Sequence, residues 1–278
     1  MNPPPSPPRL ISTLSARLAI AASLVTASAA GASQLVENLL AGKNRTVVVY
    51  GTSLTASGQG SIELGNWLNT LDPSGNAKAT IINSGLSSLA SQSGLNNLRS
   101  KVLDRAPDTV FIEFAMNDAA TNFAPDAADY GITVEKSMAN LSQMIDDIRK
   151  ALPDAEIILQ TMNPVWDSPN GSGISATIRP DLEAYYEGYR QVSVTYGLLL
   201  IDHYKNWVAL RDSDPELFKT YVSDGVHPTA AGSTAITFTQ LKLSLTATSP
   251  VPEPRAWAAL AGAVMLALAM TCGRWFTE

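Results

Sequence analysis

One cysteine, Cys272, stands among 278 residues, so no intrachain disulfide and no multi-cysteine metal site can form. Histidine is almost as scarce. His203 and His227 are the only two, which leaves no His-rich zinc site and narrows any catalytic histidine to two candidates. Basic residues are few as well: 19 Lys and Arg against 25 Asp and Glu give a net charge of −6. No basic cluster offsets that balance, which argues against nucleic acid as a partner. With 16% charged and 45% hydrophobic residues, the composition is that of a globular chain with a sizeable core.

Five short runs read as buried strands: 46–50, 78–83, 109–114, 156–162 and 198–202. They are rich in Val, Ile, Leu and Thr and are bounded by turn residues. Between them lie helical patterns near 62–71, 92–105, 134–152, 181–196 and 229–245. The clearest spans 134–152, where Met138, Leu141, Ile145, Ile148 and Leu152 recur by threes and fours and form one apolar face. Pro153 ends it. Strands alternating with helices, the strands nearly continuous in apolar residues, predict an α/β fold with a parallel sheet covered on both faces.

The chain is organised around its first strand, Thr46 to Tyr50, and the turn at its carboxyl end. Gly51 permits a tight turn. Ser53 then stands at the mouth of the strand, just before a helix must begin. Ligands of open α/β sheets bind outside the carboxyl ends of the strands, and a hydroxyl there becomes a nucleophile if a base reaches it. The plainer reading is that Thr52 and Ser53 satisfy turn or helix-start amides. The other strand exits bear on the choice. The second leads into Asn83-Ser84-Gly85 and the third into Asn117-Asp118. The fourth leads into 163–180 with Trp166, which suits either a sugar platform or a packed loop. Asp224-Gly225-Val226-His227 precedes the last helix.

Acyl transfer needs a nucleophile, a base, a group that orients the base, and donors for the oxyanion. Ser53 can be the nucleophile. His227 can be the base, because Asp224 lies three residues upstream on the same turn and can fold back to the imidazole. The backbone N–H groups of Ser53 and Gly85 and the side-chain amide of Asn117 can be the donors. Separately, each has a structural alternative: Gly85 and Asp224-Gly225 as turns, Asn117 as a helix cap, His227-Pro228 as a helix start. Asp202-His203 is a rival acid–base pair, read as structural because no serine motif is tied to it.

Taken in order, these blocks resemble the SGNH, or GDSL-type, serine hydrolase family across most of residues 46–245. Ser stands in Gly51-Thr52-Ser53-Leu54, Gly in Asn83-Ser84-Gly85, Asn in Asn117-Asp118, and Asp-x-x-His runs from Asp224 to His227. The resemblance implies a flavodoxin-like three-layer α/β/α fold on a five-stranded parallel sheet. It also implies no metal or cofactor, and hydrolysis of esters or thioesters through an acyl-serine. Two positions depart from the pattern: Thr52 replaces the usual Asp, and Ala115 replaces the glycine usual two residues before Asn117.

The ends are read apart from the domain. Residues 1–32 carry Arg9 and Arg17, an apolar stretch from Leu18 to Val25, and small-residue cleavage sites at Ala27-Ser28-Ala29 and Ala30-Gly31-Ala32. That pattern predicts a secretory signal. After the hydrolase domain at 33–249, Pro252-Glu253-Pro254 opens the segment 250–278, and uncharged, mostly apolar Ala256–Gly273 comes next. As a helix this stretch would be ~27 Å long, barely a bilayer core. The segment resembles the PEP-CTERM sorting signals of Gram-negative bacteria, which implies an exosortase-type partner. Only Arg274 supplies the basic end, so a retained membrane anchor stays open. The expectation is an exported, cell-surface esterase acting on acylated carbohydrate or other small esters, acetyl groups foremost. A lipid esterase or thioesterase, and a displayed binding protein with an inactivated hydrolase fold, are the alternatives.

Overall fold

The β-branched and apolar runs form a five-stranded sheet in the computed structural model, which describes residues 33–57 and 59–247. The signal and sorting segments expected at 1–32 and 250–278 lie outside the described residues. In chain order the elements are α1 (Gln34–Leu40), β1 (Arg45–Gly51), α2 (Ser53–Ala56), α3 (Gln59–Leu68), β2 (Ala79–Asn83), α4 (Ser91–Lys101), β3 (Thr109–Glu113), α5 (Ala115–Asp118), α6 (Val134–Ala151), β4 (Glu156–Thr161), α7 (Leu182–Tyr196), β5 (Leu199–Asp202), α8 (His203–Ser213), α9 (Pro215–Tyr221), α10 (Ala230–Gly232), a π-helical stretch Ser233–Phe238, and α11 (Thr239–Thr246).

The strand order is β2-β1-β3-β4-β5, all parallel. Successive side chains of β1 alternate between faces. Val48 and Tyr50 join one core with Leu141, Ile145 and Ile148 of α6 and Tyr186 of α7. Val47 and Val49 join the other with Leu35 of α1, Leu64 of α3 and Leu241 of α11. The sheet is therefore covered on both faces, the three-layer α/β/α arrangement that the resemblance implies. The chain reverses its direction of travel across the sheet between β1 and β3, and their carboxyl ends form the switch point where a ligand crevice opens.

The five strands start and stop within about a residue of the expected runs. Helices α8 and α9 are additions to the expected set. Their buried residues are few, namely His203, Tyr204 and Trp207 on α8 and Phe218 on α9. So short an apolar stripe makes no clear period. Trp207, Phe218 and Val222 make a small separate core, and Asp214 caps α9 by accepting from the Leu217 N–H at 3.0 Å.

Candidate active site

Gly51 closes β1 because nothing larger fits. A Cβ there would lie 2.2 Å from Oε1 of Glu113, the last residue of the neighbouring strand β3. Thr52 then caps α2, its hydroxyl accepting from the Leu54 N–H at 3.2 Å. Ser53 is the first residue of α2, so its N–H has no intrahelical acceptor. Beneath this turn the Glu113 carboxylate accepts from the Thr52 N–H at 2.7 Å, the Thr52 hydroxyl at 3.1 Å and the Thr55 hydroxyl at 2.7 Å. Burial pushes the Glu113 carboxyl up to about 7, against the pull of those donors. Glu113 is absent from the residues that the sequence patterns single out. Its one signal is a carboxylate closing an otherwise apolar strand.

His227 reaches Ser53 from the far end of the chain, with Nε2 2.8 Å from Ser53 Oγ. Its other nitrogen, Nδ1, lies 2.7 Å from Asp224 Oδ2. Asp224 Oδ1 accepts from the N–H groups of Val226 at 2.8 Å and His227 at 2.7 Å. Burial works against the Asp224 charge, but those N–H groups and the imidazole outweigh it and hold the carboxyl below its ordinary range. Gly225 makes the tight turn at φ +88°, and a Cβ on it would meet the Trp166 carbonyl at 2.2 Å.

The loop after β4 clamps this segment. Asn163 Nδ2 donates to the Val226 carbonyl at 2.8 Å, Trp166 Nε1 to that of Val222 at 2.6 Å, and the Ser168 hydroxyl to that of Ser223 at 2.5 Å. Trp166 is thus a packed loop residue set against the Trp207–Phe218–Val222 core, and it does not line the pocket at Ser53.

Asn117 comes from α5, at the exit of β3. Its Nδ2 donates to the Leu89 carbonyl at 2.9 Å and leaves one N–H free for the pocket. The Ala115 methyl is buried in the core and leaves Asn117 lining the same pocket as Ser53. Asp118 turns the other way, accepting from the Ser91 N–H at 2.7 Å and from the Ser137 hydroxyl. Gly85 carries the third of the expected donors. Its N–H donates to Asn83 Oδ1 at 3.0 Å, so that donor already has a partner. Its lack of a side chain has a steric cause, since a Cβ would lie 2.3 Å from the Ala56 nitrogen. Gly85 thereby lets the β2 exit pack against the helix that carries Ser53.

Ser53, His227 and Asn117 line a cavity of about 310 Å³ with Ser88, Phe123 and Arg179. Ser88 holds φ +62°, a strained conformation for a non-glycine residue. Arg179 belongs to no motif in the sequence. Among the described residues, no group of three or more His, Cys, Asp and Glu is placed to hold a metal ion. The rival pair is dispersed. Asp202 engages Arg190 at 2.9 Å and the Thr161 hydroxyl at 2.8 Å, whereas His203 is buried with Nε2 3.1 Å from Gln160 Oε1. Burial lowers the His203 imidazole to about 4.

The profile of the GDSL-like lipase/acylhydrolase family matches residues 49–235. No curated protein matches the chain. Among solved structures, the lipase/acylhydrolase from Enterococcus faecalis is 23% identical with a TM-score of 0.55, over 72% of this chain and 95% of that one. Axe2, an acetylxylan esterase from Geobacillus stearothermophilus, is 17% identical with a TM-score of 0.59, over 72% and 94%. A two-domain esterase active on acetylated mannans is 16% identical with a TM-score of 0.58, over 79% of this chain and 54% of that one. At these identities the likeness is one of fold.

Proposed function

The chain belongs to the GDSL-like lipase/acylhydrolase family of carboxylic ester hydrolases, and we propose that it removes short acyl groups, acetyl foremost, from carbohydrate esters by way of an acyl-Ser53 intermediate. The observation that carries this reading is the unbroken relay Ser53 Oγ, His227 Nε2, His227 Nδ1, Asp224 Oδ2, with links of 2.8 and 2.7 Å. Ser53 Oγ attacks the ester carbonyl while His227 Nε2 takes its proton. Asp224 fixes the tautomer and stabilises the imidazolium. The negative charge on the carbonyl oxygen meets the Ser53 N–H and the free Asn117 N–H. The Gly85 N–H joins them when it exchanges Asn83 Oδ1 for the oxyanion. The alcohol leaves with the proton from His227. Water then gives a proton to His227 and attacks the acyl-serine; as the acyl–Oγ bond breaks, His227 passes that proton to Ser53 Oγ and the carboxylic acid leaves.

The preference for acylated carbohydrate is supported by the polar side chains of Ser88 and Asn122, which share the cavity lining with Phe123 and Ile178. It also draws on the activities named for the acetylxylan and acetyl-mannan esterases of similar fold. Two measurements test the reading. A fluorophosphonate probe labels Ser53 in the native protein and not in His227→Ala. Hydrolysis of acetylated xylo- and manno-oligosaccharides exceeds that of long-chain esters. A rate that climbs steadily from acetyl to long-chain esters replaces this reading with a lipid esterase. Export through 1–32 and sorting through 250–278 form part of the same proposal, and the mass and cell fraction of the mature chain test them.

A further inference from the structure

Arg179 is a half-buried arginine in the cavity wall. Arg45, Arg190 and Arg211 each pair with a carboxylate. Among the described residues Arg179 pairs with none, although burial works against its charge. What it touches is the residue pair Met116-Asn117. Its Nε–H donates to the Met116 carbonyl at 2.8 Å, and an Nη2–H points to Asn117 Oδ1 at 3.5 Å. An Nη1–H donates to the Ser175 carbonyl at 3.1 Å, which anchors the side chain in its own loop.

An asparagine amide has an accepting end and a donating end, and only one orientation suits oxyanion binding. The Leu89 carbonyl can only accept, so it holds Nδ2. A guanidinium can only donate, so it holds Oδ1. Both contacts select the same orientation from opposite ends of the amide. One contact leaves the amide free to swing about it, whereas two fix its plane. The guanidinium fork also grips the backbone of the residue just before Asn117, so one rigid planar group sets both main chain and side chain. The 3.5 Å contact is long, as catalytic hydrogen bonds often are before the substrate arrives.

We propose that Arg179 is a positioning residue for the oxyanion hole: its guanidinium fork, bridging the Met116 carbonyl and Asn117 Oδ1, orients the Asn117 amide so that its free N–H faces the carbonyl oxygen attacked by Ser53. This rests on the esterase reading above and acts wholly through Asn117.

Arg179→Met and Arg179→Lys test it, since lysine keeps the charge and cannot bridge two acceptors in a plane. In protein labelled with 15N-asparagine, the Asn117 side-chain amide pair is assigned by its loss in Asn117→Ala. That pair shifts and broadens in both Arg179 variants if the arginine sets the amide, and an unchanged pair overturns the proposal whether or not any ester is turned over. On an acetyl ester, Arg179→Met lowers kcat about 10- to 10²-fold with KM changed less than about threefold, part of what loss of the donor itself costs. Added to Asn117→Ala, the same substitution lowers kcat little further, because effects within one unit are not additive. Multiplying losses, or full kcat in Arg179→Lys, sink the positioning role. Thermal midpoints of each variant separate it from a loss of folding. A wild-type protein that neither labels at Ser53 nor turns over esters would instead refute the esterase reading, and the amide signal would still decide the role of Arg179.

Discussion

Thr52 and Glu113 share one buried hydrogen-bond unit: the carboxylate of Glu113 accepts both the N–H of Thr52, at 2.7 Å, and its hydroxyl, at 3.1 Å. The turn ahead of Ser53 is therefore held by a carboxylate from the next strand, at a position where the SGNH pattern usually places its own Asp.

A second carboxylate at position 52 would face the first inside the core, where like charges strongly disfavour joint ionisation. Thr52→Asp accordingly lowers stability by on the order of 1–3 kcal/mol at pH 8 and by less at pH 5.5, where Glu113 is protonated. Turnover changes less than stability. Chemical denaturation at the two pH values beside kcat measures both. A large gain in turnover at unchanged stability would show that Thr52 impairs the chemistry.

Glu113 also sets a pH dependence. Its carboxyl is raised from an ordinary 4.5 to about 7. Between those values the unfolded chain has released the proton and the folded chain has kept it. Stability contributed by this group is thus fully present below pH 4.5 and is lost as pH rises to about 7, by on the order of 3 kcal/mol. Glu113→Gln removes that slope while keeping the size of the side chain. Unfolding free energies from pH 4.5 to 8 check this, and an identical slope in the variant contradicts it.

Ser53→Ala and His227→Ala each abolish most turnover, and the double variant loses little more, because neither group works without the other. Asp224→Ala costs somewhat less, on the order of 10⁴-fold. His203→Ala lowers thermal stability and leaves the turnover of the folded fraction within a few-fold of wild type, since His203 is buried against Gln160. If His203 proves essential and His227 dispensable, the assignment of the base fails.

Gly225→Ala tests the turn between Asp224 and His227. The residue combines a φ of +88° with a Cβ contact of 2.2 Å to the Trp166 carbonyl. Backbone strain and overlap together destabilise by more than about 1 kcal/mol. Displacement of the imidazole lowers kcat more than it raises KM. Wild-type stability and kcat in this variant would show that the loop yields freely.

Parallel strands buried on both faces are legible in sequence because each is a compact apolar run, and β1 is legible down to its Gly51 exit. The blocks around Ser53 and Asn117 are legible because each sits where such a run ends, and Asp224–His227 because a carboxylate stands three residues before a histidine ahead of the last helix. Glu113 is not, because its partners Thr52 and Thr55 lie some sixty residues earlier and no local pattern joins them. Nor is the Asn83 contact to the Gly85 N–H, which depends on a side-chain orientation rather than on residue identity. Helices α8 and α9 escape because their stability rests on a few large side chains packed on Thr237 and Val222, not on a repeating stripe. For Trp166 the chemistry of the residue fits a sugar platform and a packed loop alike, and only its bond to the Val222 carbonyl separates them.

The clamp from the loop after β4 divides that loop for anyone redesigning the enzyme. Asn163, Trp166 and Ser168 commit their polar groups to the backbone at 222–226, so variation there costs the histidine its register. Farther along the same loop, Gly173 and Thr177 are tied back to the clamp, the Gly173 N–H to the Ser168 carbonyl at 3.1 Å and the Thr177 hydroxyl to Asp167 at 2.8 Å, whereas Ser172 and Ile174 are exposed and bond only within 172–178. A library confined to Ser172 and Ile174 leaves the proton relay in place, and a library spread over the whole loop consists mostly of inactive protein.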